Sequence, residues 1–214
     1  MSIDLSGTMG PTASRVFGLA AIAGPVLLLG STIAFISENG INDGVIGGMI
    51  GIWSTFALAV AFTGIYRMIE PAAPRVGPIF GAIALVGFTA GALFNLQAMY
   101  LAAYGNDLLT DTMNGALPDV PAITFFAFLP WGWLAPLSFV ATGILLWRTR
   151  TAPTWSAAML VLGGILFIAS RPARVAPLAI ACDLALVLAL APIGWAMLAR
   201  RRVVADVMPS TASS

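Results

Sequence analysis

Six long apolar runs, with arginines gathered mainly at alternate ends of them, dominate this chain. The runs extend from Val16 to Ser37, Gly44 to Tyr66, Val76 to Leu101, Ala122 to Trp147, Thr154 to Ser170 and Val175 to Leu198. At about 1.5 Å per residue each reaches across roughly 30 Å of hydrocarbon, the fifth at the short end. Hydrocarbon offers no partner to a bare N–H or C=O, so each run must be helical. The expected fold class is therefore all-α, a compact bundle of six transmembrane helices over residues 16–198.

Charge content leads to the same class. Only 9% of the 214 residues are charged, against about 25% in a soluble domain. A surface so poor in charge has to be covered by lipid. The six spans and their short connections leave residues 1–15 as an N-terminal tail and 199–214 as a basic, then disordered, C-terminal tail, with no room for a separate soluble domain. The first run is expected to be a retained helix rather than a signal peptide, because Phe35, Ile36 and Ser37 before Glu38 form no small-x-small cleavage site.

The arginines orient the bundle. With the N-terminus in the cytoplasm, Arg15, Arg67, Arg75, Arg148, Arg150 and Arg200 to Arg202 all lie inside, and only Arg171 and Arg174 lie outside. Cytoplasmic enrichment of basic residues is the rule for short membrane loops, so both termini are expected in the cytoplasm. Tyr66, Trp147, Trp155 and Trp195 then fall near the inner interface, and Tyr100, Tyr104, Trp131 and Trp133 near the outer one, as amphipathic rings at headgroup depth should. Asp107, Asp111 and Asp119 keep the one long loop, about 102–121, on the outer water side. All ten basic residues are arginine, which together with heavy Ala, Gly and Pro usage suggests a GC-rich bacterial genome and hence a bacterial inner membrane.

Absences exclude much chemistry. The chain has no histidine and no lysine. Bis-histidine haem, a catalytic zinc and a serine–histidine dyad are thus unexpected, as are a retinal Schiff base and a P-loop. No metal or cofactor is expected, and no enzyme of ordinary type. A net charge of +1 gives no case for nucleic acid. The expected partner is the lipid bilayer, together with a membrane protein or a second copy of the chain.

One ionisable residue, Asp183, lies deep in a span, and such a group is by default a candidate site whose partner must be named. Asn95 and Gln97 in the third run, and Ser31 and Thr32 in the first, share its depth when counted from the outer face. The sequence thus predicts an outer-leaflet cluster of Thr32, Asn95, Gln97 and Asp183, roofed by Arg171 or Arg174. It serves either as a ligand or proton site, or as interhelical glue in which a neutral carboxyl bonds an amide. The favoured expectation for Arg171 and Arg174 is pairing with loop acids such as Asp119, the alternative an anionic headgroup or solute. Pro130 and Pro136 around Trp131-Gly132-Trp133 predict a kink or break in the fourth helix. Glycine pairs such as Gly47 and Gly51 predict close packing inside the bundle.

A short repeat is also visible. Thr63-Gly64-Ile65 with Ala73-Pro74 recurs as Thr142-Gly143-Ile144 with Ala152-Pro153, from duplication or from convergence on a good cytoplasmic turn. The stretch from Gly143 through Trp147-Arg148-Thr149-Arg150-Thr151-Ala152-Pro153-Thr154-Trp155 to Leu162-Gly163-Gly164 resembles small six-helix bacterial inner-membrane proteins of uncharacterised families. That resemblance implies the fold class and no activity. Three functional classes remain open. The principal expectation is a structural or accessory membrane component. The alternatives are a small-molecule or ion carrier or channel using the Asp183 cluster, and a membrane enzyme using that carboxyl as an acid.

The topology makes a direct prediction. In intact cells a membrane-impermeant maleimide should label Asn114→Cys but label Thr149→Cys only after permeabilisation; the reverse pattern would overturn the orientation.

Overall fold

Backbone hydrogen bonding drives each apolar run into a helix, and the helices then have only one another and lipid to pack against. The computed structural model describes residues 9–104 and 130–207. It contains α1 (Pro11–Glu38), α2 (Val45–Ile69), α3 (Val76–Tyr104), α4 (Leu134–Thr149), α5 (Thr154–Ala173) and α6 (Ala176–Val207). Among the described residues there is no strand, and six helices are long and apolar enough to cross a membrane. The chain is an all-α, multi-pass membrane protein.

Several boundaries differ from expectation: α1 begins at Pro11 rather than Val16, and α6 continues past Leu198 to Val207, into the expected tail. The fourth span was expected from Ala122, and its first residues lie outside those described, as do the loop acids Asp107, Asp111 and Asp119. What is described begins with helical residues 130–132, breaks at Trp133 and restarts as α4. Pro136 explains the break, because it has no N–H for the Gly132 carbonyl and its ring crowds that carbonyl. The fifth helix continues past Ser170 to Ala173, which takes Arg171 into the helix.

The six helices form a closed ring in chain order. Each packs on the next, and α1 packs on α6. Contacts run antiparallel throughout: Ser31 against Gly47, Ser54 against Gly24, Ser156 against Ala189, and Ser14 against Met197. In each of these pairs a buried serine hydroxyl donates to a backbone carbonyl of the neighbouring helix at 2.6–2.8 Å. Small polar residues of this kind let apolar helices approach closely while adding a bond across the seam. Both ends of the bundled chain therefore lie at one end of the ring, here the terminal end. The turns at 39–44 and 174–175 lie at the opposite, far end.

Aromatic side chains fill the ring's middle. Phe62 of α2 lies 4.9 Å from Phe88 of α3 and 5.5 Å from Phe139 of α4, centroid to centroid. Phe167 of α5 lies 6.2 Å from Phe139. Toward the terminal end, the Tyr66 and Thr142 hydroxyls bond at 2.6 Å across the ring. This corrects the expectation that Tyr66 belongs to the interfacial belt: it is buried, whereas Trp147, Trp155 and Trp195 are exposed as expected. The repeat is likewise not used twice in the same way. Thr142 faces the ring interior, whereas Thr63 is exposed and bonds the Ala59 carbonyl of its own helix.

Ring closure depends on two glycines. A Cβ on Gly18 would lie 2.8 Å from the Gly194 carbonyl oxygen, and one on Gly194 would lie 2.6 Å from the Gly18 carbonyl oxygen. Gly194→Ala should therefore cost about 1–3 kcal/mol through overpacking. Gly30→Ala is the control, since its nearest neighbour would be Ile50 Cγ2 at 3.9 Å; it should gain about 0.5–1 kcal/mol from lost backbone freedom. Unfolding of the purified protein in micelles reads both, and equal gains would show that backbone proximity does not hold α1 to α6.

Candidate functional site

The last turn of α5 builds the site. Arg174 adopts a left-handed conformation, with φ of 52°. Its N–H donates to the Arg171 carbonyl at 3.3 Å, and the Val175 N–H donates to the Ser170 carbonyl at 3.1 Å. These two bonds form a Schellman cap, which satisfies the helix's final carbonyls and turns the chain sharply into α6. The tight hairpin lays α6 alongside α5, with Asp183 seven residues into α6 and so deeper in the bundle than the end of α5. Arg171, whose long stem lets a guanidinium reach back along its own helix, bends toward it.

The outcome is a buried ion pair. Arg171 Nη2 donates to Asp183 Oδ1 at 2.8 Å and to Oδ2 at 3.0 Å. The same nitrogen donates to Thr32 Oγ1 of α1 at 2.7 Å, and the Thr32 hydroxyl donates to Asp183 Oδ2. Side-chain exposure is 9% for Arg171 and 0% for Asp183. The guanidinium also stacks over Phe167, 5.2 Å from the ring centroid. One polar knot thus joins α1, α5 and α6.

The sequence-predicted cluster is divided by this geometry. Asp183 and Thr32 do meet, and Arg171 joins them. Asn95 and Gln97 are not partners of Asp183 among the described residues, which corrects the carboxyl–amide pairing. Asn95 instead donates to the Gly91 carbonyl of its own helix at 2.9 Å, and its side-chain oxygen occupies the space that a Cβ on Gly51 would need. Arg171 pairs with an acid inside the bundle, while Asp119 lies outside the described residues. The reason is electrostatic: a carboxylate in an apolar interior must find a cation, and an amide supplies no charge. Arg174 is exposed.

Asn95, Gln97 and Arg174 share a different feature. A cavity of about 400 Å³ lies within the ring on the far-end side of the aromatic layer. Phe88, Phe139 and Phe167 form its floor, Trp133 stands beside the α4 break, and Ser31, Thr55, Asn95 and Gln97 place polar groups on its wall. Arg171 belongs to both places, with Nη2 in the ion pair and the side chain on the cavity wall. Arg174 and Asn42 stand at the far end, where Asn42 donates to the Arg171 carbonyl at 3.4 Å. Asp183, with no exposure, lines none of it.

Sequence reasoning missed the aromatic floor, Thr55 and Asn42. Phenylalanines in apolar runs carry no signal of which face they take, and Asn42 reads as an ordinary turn residue. The α4 break beside Trp133 was the one available pointer, since interrupted helices often line binding sites. Cys182 is buried between α5 and α6, where its thiol lies 3.3 Å from the Gly163 carbonyl. Compared with known protein families, curated proteins and solved structures, the chain matches none.

The ion pair can be tested by its asymmetry. Asp183→Leu leaves a buried guanidinium unpaired and should cost about 3–5 kcal/mol, whereas Arg171→Met combined with Asp183→Leu should recover most of that loss. Asp183→Asn should fall between, because its amide oxygen still accepts a bond. If Asp183→Leu alone unfolds in micelles like the unmodified protein, the knot does not hold the three helices.

Proposed function

We propose that this protein binds a small, mostly apolar molecule in the cavity at the far end of its helix ring, as a membrane-embedded carrier or binding component. The observation that carries the proposal is the cavity itself: about 400 Å³, aromatic at its floor, with a few polar groups on its wall. Small-molecule sites have this volume and this mixture, with apolar surface for affinity and a few polar groups for orientation. The aromatic layer and the Tyr66–Thr142 bond close the ring toward the terminal end, so a ligand enters from the far end or from the lipid. A location in the bacterial inner membrane with cytoplasmic termini belongs to this proposal. It is supported by the arginine asymmetry, and on it the cavity faces the periplasm.

A structural or accessory role is the second reading, and a specific observation favours it. Asp183 is fully buried and held by Arg171 and Thr32, as interhelical glue should be. That observation moves any ligand away from the carboxylate but leaves the cavity unexplained. The third expectation, Asp183 as an acid catalyst, draws no support from a carboxylate that no substrate reaches.

A neutral aromatic probe separates the two readings. 2-Naphthamide should bind saturably to the protein in nanodiscs, above its partition into empty nanodiscs. Ala98→Phe, which places a ring into the cavity wall, should weaken binding by about tenfold, or roughly 1.4 kcal/mol. Binding that never saturates, or that is indifferent to Ala98→Phe in a protein of unchanged thermal stability, would favour the accessory role.

A further inference from the structure

Resting on the cavity-binding reading, we infer that the ligand is an organic monoanion: one acidic head, such as a carboxylate, on a flat or chain-like apolar body. The charges lining the cavity carry the inference. Arg171 and Arg174 are on its wall, and no acid is among the described residues that line it. Asp183 lies behind Arg171 and offsets one guanidinium. Among the described residues, two guanidiniums against one carboxylate leave a single positive charge, matched by a single anionic head.

The bonding pattern shows where that head goes. Among the described residues, Arg171 spends Nη2 on all three of its side-chain hydrogen bonds. Its Nε is buried without a partner, and Nη1 makes no bond among the described residues. The guanidinium is thus anchored by one nitrogen, Nη1 is left without a partner among the described residues, and the group is held in place before any ligand arrives. Arg174, whose backbone is set by the Schellman cap, adds an exposed second guanidinium at the mouth. Arginine's planar donor fork suits a carboxylate better than a point charge does. Asn42 and Gln97 lie at the same end of the cavity, and Phe88, Phe139 and Phe167 lie opposite. Head and body of an amphiphile therefore meet matching surfaces in one orientation.

The test uses a matched pair differing in charge. In neutral-lipid nanodiscs, 2-naphthoate should bind about tenfold tighter than isosteric 2-naphthamide, the size of one charge-assisted hydrogen bond. Arg174→Asn should remove most of that preference, with the naphthoate affinity falling toward that of naphthamide. Asn and Gly both suit the left-handed cap, so Arg174→Gly repeats the measurement in a second neutral background. Displacement of naphthoate by soluble dihexanoyl phosphatidylglycerol would support the same anion site with a lipid headgroup as its source; no displacement, with the naphthoate preference intact, would support a dissolved organic acid. Equal binding of naphthoate and naphthamide would overturn the monoanion while leaving the cavity reading standing. Saturable binding of neither would overturn the cavity reading itself.

Discussion

The buried pair between Arg171 and Asp183 is the constraint on which the rest of this fold depends. An isolated charge in a bilayer interior is costly, and each member here makes the other tolerable. Because Thr32 bonds both, the pair joins the last hairpin of the ring to its first helix. The α1–α6 seam is therefore fixed at both ends, by this polar knot toward the far end and by the Gly18–Gly194 contact and the Ser14–Met197 bond toward the terminal end. Together they turn a chain of hairpins into a closed ring.

Closure creates an interior, and side-chain volume divides it. Phenylalanines from α2, α3, α4 and α5 meet in the middle, and their tilted and edge-on contacts fill the lumen there. Beyond that layer the wall mixes small and polar residues, among them Ser31, Thr55, Gly91, Asn95 and Ala98, with larger ones such as Phe94, Leu101 and Trp133. They do not reach across the ring, so a cavity remains. The same arginine that closes the ring also forms part of the cavity wall. Structural closure and ligand recognition would thus be coupled through one side chain whose three nitrogens are used unequally.

Helix number, helical class and the poverty of charge followed directly from composition, because a long uncharged run in lipid has one way to satisfy its backbone. The α4 break followed from Pro130 and Pro136 flanking Trp131-Gly132-Trp133. Depth counting along single helices brought Asp183 and Thr32 together correctly. It failed for Asn95 and Gln97, because equal depth does not say which helix face a residue takes or which helices are neighbours. It also placed Tyr66 at an interface, when its hydroxyl turns inward to Thr142.

What the sequence by itself determined is therefore what depends on one segment at a time: six lipid-crossing helices, their turns, and a buried acid that had to find a partner. Only the tertiary structure decided which cation that partner was, that the helices close in chain order, and that a cavity rather than the aspartate is the accessible feature. Those outcomes depend on rotation and lateral packing of the helices. Both are set by the simultaneous fit of many side chains, which no single run of residues encodes.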